Sequence, residues 1–150
     1  MSVQVKICGI SEPETLGAAV QGGARWVGLV FYPPSPRYVS PPMAAELARM
    51  VPTAVRTVGL FVDADDLFLE NVVSQVPFDM LQLHGKESPE RVAAIKAAFN
   101  IPVLKAIKVG GPEDLDRAAE YAPVCDRLLF DAKPPARPGR PARRSWASPC

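Results

Sequence analysis

Val3-Gln4-Val5-Lys6-Ile7-Cys8-Gly9-Ile10, followed by Ser11-Glu12-Pro13-Glu14, is the stretch on which the fold turns. It alternates or runs apolar for the length of a strand. A thiol and a glycine then stand where the chain bends into a helix with Pro13 in its first turn, capped by Ser11 or Glu12. A strand that ends in a reactive side chain and feeds a helix is a βα junction, and the same junction recurs until about Lys133.

Leu16, Ala19 and Val20 form the inner stripe of the first helix, which Gln21-Gly22-Gly23 ends. Trp26 to Phe31 is an almost unbroken apolar run, the pattern of a strand buried on both faces in a parallel sheet. Tyr32 to Ser40 holds three prolines and is a long, stiff loop rather than a helix. A helix from Pro41 to about Met50, a strand Val55–Val62, a helix 65–76 with Asp63 as its cap and a strand Met80–Gly85 follow. A helix from about Ser88 to Phe99, a strand Val103–Ile107, a helix from about Pro112 to Tyr121 and a strand Arg127–Asp131 complete the pattern. A repeat of roughly two dozen residues is the mark of βαβ units on a parallel sheet. Right-handed crossovers leave a doubly wound sheet or a (β/α)₈ barrel. No phosphate-binding glycine fingerprint follows the first strand. Cys8, Arg37, Asp63, His84, Lys105 and Asp131 all fall at or just beyond strand ends, where a barrel builds its chemistry.

The composition fits one soluble globular unit, with 48% of its 150 residues apolar and a net charge of +1. Charge is uneven: residues 1–132 carry a net −4 and the rest +5. Three cysteines and one histidine make neither a secreted disulfide framework nor a zinc spacing. With no signal-peptide pattern and no apolar run of membrane-spanning length, a cytoplasmic protein without a nucleic-acid or membrane partner is expected. The domain division expected is residues 1–133 as a partial barrel and 134–150 as a Pro/Arg-rich disordered tail.

Lys6-Ile7-Cys8-Gly9-Ile10, Val27 to Phe31 with Tyr32 and the Ser35–Ser40 loop, Val58 to Val62, Leu81-Gln82-Leu83-His84-Gly85, and Phe130-Asp131 before Lys133 carry a further signal. Together they resemble phosphoribosylanthranilate isomerase, a (β/α)₈ barrel of tryptophan biosynthesis, in order and at family spacing over residues 3 to about 135. The resemblance implies an Amadori rearrangement of a phosphoribosyl anthranilate substrate. A general acid opens the furanose ring to a Schiff base and a general base takes the C2′ proton.

By that resemblance Cys8 is the base, and a thiol facing a helix N-terminus has its thiolate favoured; the alternative is a buried, inert cysteine. Asp131 matches the acid, a role that calls for a carboxyl kept protonated by burial; otherwise it is a cap or an ion-pair partner. Arg37 matches the grip on the anthranilate carboxylate, against a solvated loop arginine. His84 matches a pocket-wall substrate contact, against a structural histidine. Neither metal nor cofactor is implied.

The family continues past the Asp131 strand with a glycine-rich loop, a Phe-Asp-Trp segment and two more strands that hold the phosphate. Pro-Arg-rich sequence stands there instead, the expectation for a truncated or frameshifted form. Some five and a half βα units leave the first and sixth strands with open edges, which invites self-association, and make a non-catalytic fragment the alternative reading.

Overall fold

Lys6–Cys8 (β1), Trp26–Phe31 (β2), Arg56–Phe61 (β3), Met80–Leu83 (β4), Val103–Val109 (β5) and Arg127–Ala132 (β6) are the strands of the computed structural model, which describes residues 3–133. Pro13–Gln21 (α1), Pro41–Met50 (α2), Asp66–Val73 (α3), Pro89–Phe99 (α4) and Pro112–Tyr121 (α5) lie between them. The strands pair in parallel in the order β1-β2-β3-β4-β5-β6. A doubly wound sheet must reverse its strand order at a switch point. Here the order never reverses, so the chain winds one way, as a curled half-barrel of the TIM type. β1 and β6 are the edges of the sheet among the described residues.

The alternation of side chains along each strand divides the sheet into two faces. Val27, Leu29, Phe31, Phe61, Leu81, Leu83, Val103 and Ile107 point outward into one apolar cluster with Leu16, Leu47, Leu69, Val72, Val92 and Ile95 of the helices. Phe31 stacks on Phe61 at 5.2 Å between ring centres, and Phe78 meets both edge-on. Val58, Met80 and Leu104 form a smaller cluster on the concave face, bordered by Trp26 and Leu129. No helix among the described residues is long and apolar enough to cross a membrane.

Element boundaries differ from the sequence reading where backbone geometry outweighs hydrophobicity. The first strand is three residues long rather than Val3 to Ile10, because Gly9 turns at a φ of 84° and both Gly9 and Ile10 donate to the Gly28 carbonyl. Asp63 does not cap α3. Asp65 does, accepting from the Phe68 N–H, and Asp63 adopts a left-handed φ of 48° so that its Oδ1 accepts from Lys86 N at 2.6 Å. Lys105 is not at a strand end: β5 runs on to Val109, and Lys105 faces the helices from the strand's middle. The expected tail from Pro134 lies outside the described residues.

Glu87 and Lys105 explain why a charge tolerates that position. The Lys105 ammonium bonds Glu87 Oε2 at 2.7 Å and the Gly85 carbonyl at 2.8 Å, with both side chains almost fully buried. Glu87 Oε1 accepts from Asp63 N at 2.9 Å and Gly85 N at 3.1 Å, and the Tyr121 hydroxyl donates to the Glu87 carbonyl at 2.8 Å. One ion pair thus ties the ends of β3 and β4 to β5 and α5. Breaking a buried pair from one side strands the other charge, at about 3–5 kcal/mol. Glu87→Ala is therefore expected to lower the stability read by urea unfolding by about that much, and adding Lys105→Met is expected to restore part of the loss.

Candidate active site

Concave-face positions at the C-terminal ends of the strands gather a second set of polar side chains, apart from the outward-facing Lys105 and Glu87. Lys6 lines the concave cavity, and two residues on, by alternation, Cys8 faces the same way at the end of β1. Its partner in register is Gly28. A Cβ at Gly28 would lie 2.8 Å from Cys8 Sγ and 3.2 Å from Cys8 Cα, so glycine is what makes room for the thiol.

Arg37 reaches the same corner from the loop after β2. A Cβ on Gly9 would overlap the Arg37 side chain and lie 3.3 Å from its Nε and Nη1, which lays the guanidinium stem across the backbone beside Cys8. The loop itself is pinned: Val39 N donates to the Val30 carbonyl, Tyr38 bridges to Val30, and the buried Ser35 accepts from Arg37 N at 3.2 Å. Prolines and these bonds fix the arginine's origin.

Across the sheet, His84 and Asp131 meet. His84 Nε2 lies 3.3 Å from Asp131 Oδ2, and its Nδ1 lies 2.9 Å from Gln82 Nε2. Gln82 and His84 are two residues apart from β4 onward, on one face, and both are buried. Asp131 pairs in register with Lys108 of β5 and remains partly open to solvent. Burial holds the His84 pKa below its ordinary value of 6.5, against the raising effect of Asp131 and with Lys108 and Lys105 adding to the depression. The imidazole is therefore neutral at pH 7.

Of the residues singled out in the sequence, Cys8 and Arg37 are neighbours and His84 and Asp131 are bonded, all on the concave rim. Asp63 and Lys105 belong to the outer network instead. Gln82 and Glu87 escaped the sequence reading, although an amide in an otherwise apolar strand and a lysine in another were the available signals. Among the described residues no three His, Cys, Asp or Glu side chains are grouped to hold a metal ion.

Sequentially ordered parallel strands, helices on the convex side and titratable groups on the concave rim define a TIM-type barrel protein. The family described as PRAI, N-(5'phosphoribosyl)anthranilate (PRA) isomerase, matches residues 5–140. The chain belongs to that family. It is 61% identical to the N-(5'-phosphoribosyl)anthranilate isomerase of Rhodospirillum centenum, with 99% of this chain and 76% of that protein covered. Identity to the Paracoccus denitrificans enzyme of the same name is 56%, over 90% of this chain and 63% of that protein. This chain therefore spans about three quarters of the one relative's length and under two thirds of the other's. The crystal structure of phosphoribosyl anthranilate isomerase from Thermotoga maritima superposes with a TM-score of 0.81 at 38% identity, covering 97% of this chain and 69% of that one. A phosphoribosyl anthranilate isomerase in complex with reduced 1-(o-carboxyphenylamino)-1-deoxyribulose 5-phosphate gives 0.79 at 39% identity, over 88% and 66%.

A buried neutral histidine makes stability depend on pH. Below 6.5 the unfolded chain binds a proton that folded His84 resists, so stability is whole above that pH and falls as pH drops from 6.5 towards the lower folded value. The slope is at most about 1.4 kcal/mol per pH unit. Asp114 and Asp126, held below their ordinary 3.8 chiefly by bonds from Lys133 and Lys96, add losses only under about pH 4. Melting temperatures between pH 7.5 and 5 are expected to fall for the native chain and to flatten for His84→Gln.

Proposed function

We propose that this chain isomerises N-(5'-phosphoribosyl)anthranilate to 1-(2-carboxyphenylamino)-1-deoxyribulose 5-phosphate, an Amadori rearrangement in tryptophan biosynthesis. The observation that carries this reading is that a family member's Cys8 and Asp131 both stand at strand ends on one concave face. Asp131 gives its proton to the ring oxygen as the C1′–O bond breaks, leaving a Schiff base. The Cys8 thiolate then removes the C2′ proton, the released pair forms the C1′=C2′ bond as the C=N pair returns to nitrogen, and the enolamine becomes the ketone by losing its hydroxyl proton and gaining one at C1′. No electrons are gained or lost overall, so side chains that move protons suffice.

Arg37 is assigned the anthranilate carboxylate, which a planar guanidinium meets with two bonds. Its place beside Cys8 supports that role, because the aryl amine is attached to the carbon next to the one deprotonated. His84 has both ring nitrogens engaged by Gln82 and Asp131. Its part is therefore read as orienting the acid more than as touching the sugar through a ring nitrogen.

A second reading is a half-barrel that folds and binds without turnover, and one observation favours it. β1 and β6 have no further strand beside them among the described residues, and Phe130 and Ile7 on those edges are exposed. Exposed edges of this kind also favour self-association.

Turnover of N-(5'-phosphoribosyl)anthranilate by the 150-residue chain, followed by loss of anthranilate fluorescence, separates the readings. The isomerase reading expects Cys8→Ala and Asp131→Asn each to lower kcat by about 10²–10⁴. Arg37→Ala is expected to raise KM by about ten- to a hundredfold, the worth of a charged hydrogen bond. A cooperatively melting native chain with no turnover would favour the half-barrel reading, and its mass by light scattering tests self-association.

A further inference from the structure

We infer that Gln82 is a positioning residue of the acid: by donating its amide N–H to His84 Nδ1 it places the imidazole's single proton on Nε2, facing Asp131. This rests on the isomerase reading for its catalytic meaning, and on hydrogen-bond geometry for its structural content.

Gln82 is out of place by every measure of core packing. It is fully buried, it pairs in register with Leu60 on one side and Leu104 on the other, and its Oε1 has no hydrogen-bond partner among the described residues. A leucine or methionine would fill that position without burying a lone acceptor, which is a costly thing to keep. What the amide gains in return is the 2.9 Å contact to His84 Nδ1. A neutral imidazole has one N–H and one lone pair, so an amide donor at Nδ1 leaves the proton on Nε2. That nitrogen stands 3.3 Å from Asp131 Oδ2.

The consequence falls on the carboxyl. With Oδ2 accepting from Nε2–H, the transferable proton belongs on Oδ1, the oxygen left for substrate. When Oδ1–H passes its proton to the sugar oxygen, the new carboxylate charge is met by a neutral donor already in place, and His84 gains and loses no proton. With the opposite tautomer the Nε2 lone pair would face Asp131 and draw the acid's proton away from the substrate. Among the described residues Lys108 on β5 and Asp131 on β6 are the charged groups on the ring's side of the sheet, and Lys105, paired with Glu87, acts on it more weakly from the other side. The two ammonium groups disfavour the imidazolium that would make Gln82's donation impossible.

His84 is the chain's single histidine, so its ring nitrogens are the only imidazole signals in a ¹⁵N-labelled sample. Long-range ¹H–¹⁵N spectra of the whole chain at pH 7 are expected to show a neutral ring protonated on Nε2. Gln82→Met keeps the bulk and removes the donor, and is expected to shift the ring towards the Nδ1–H form. Gln82→Asn, whose amide stops a methylene short, carries the same expectation should the methionine variant not fold. A native ring protonated on Nδ1, or a variant spectrum identical to the native one, would overturn the inference, whether or not the chain turns over substrate. In an active chain, Gln82→Met is further expected to lower kcat about tenfold or more, to leave KM within about twofold and to move the limb of the pH profile assigned to Asp131. An unaltered profile would remove the link to the acid.

Discussion

Two-residue alternation along parallel strands is the constraint from which the rest follows. Each strand residue faces either the helices or the concave side, and a slip of one position would exchange them all. β4 and β5 make the point with charged and polar groups. Leu83 and Lys105 pair in register and face outward, where Lys105 finds Glu87; Gln82 and His84 face inward, where His84 finds Asp131. Two polar networks therefore lie back to back through one sheet without sharing a bond. One holds the strand ends together and the other is available for chemistry.

The division also explains how much could be read from the sequence. Strand and helix identities were legible because apolar runs, prolines at helix starts and the glycines after α1 are local signals. The winding was not legible in any one segment, since the order of strands is a property of crossovers; the missing glycine fingerprint, the polar residues collected at strand ends and the family's motifs together pointed towards the barrel. Cys8, Arg37, His84 and Asp131 were legible through the family's motifs. Asp63 misled because an aspartate before a helix is a good cap on composition alone. Its left-handed backbone turns its carboxylate towards Lys86 N, and Asp65 takes the cap. Gln82 and Glu87 were hidden for a different reason: their meaning lies in a partner's position in space, two residues away across a strand end or eighteen away across the sheet.

Burial and charge then sort the titratable groups by task. Glu87 and Lys105 are buried together and satisfied by backbone on both sides, so the pair is committed to structure. His84 is buried without a full counter-charge and stays neutral, which suits an orienting donor and not a base. Asp131 is the member of that inner network left partly open to solvent, the access that the proposed proton transfer would use. Gly28 and Gly9 do for Cys8 and Arg37 what burial does for His84, by withholding side chains where the reactive groups must approach the backbone.

Asp131 is weakly supported, because it sits on β6, which among the described residues is an edge of the sheet held by hydrogen bonds from one side only. Phe130 turns outward beside it and is 56% exposed, so on the convex side β6 packs through Leu128 and not through the residue next to Asp131. The last turn of the strand is held instead by Lys133, whose N–H donates to the Val109 carbonyl and whose ammonium grips both oxygens of Asp114 at 2.7 Å. Asp114 is enclosed, and it accepts from Gly110 N as well, so α5, the β5–α5 turn and the end of β6 close on one carboxylate. That clamp lies two residues from Asp131. The strand end that carries Asp131, and with it the 3.3 Å contact with His84, is therefore braced by a salt bridge on the outer rim.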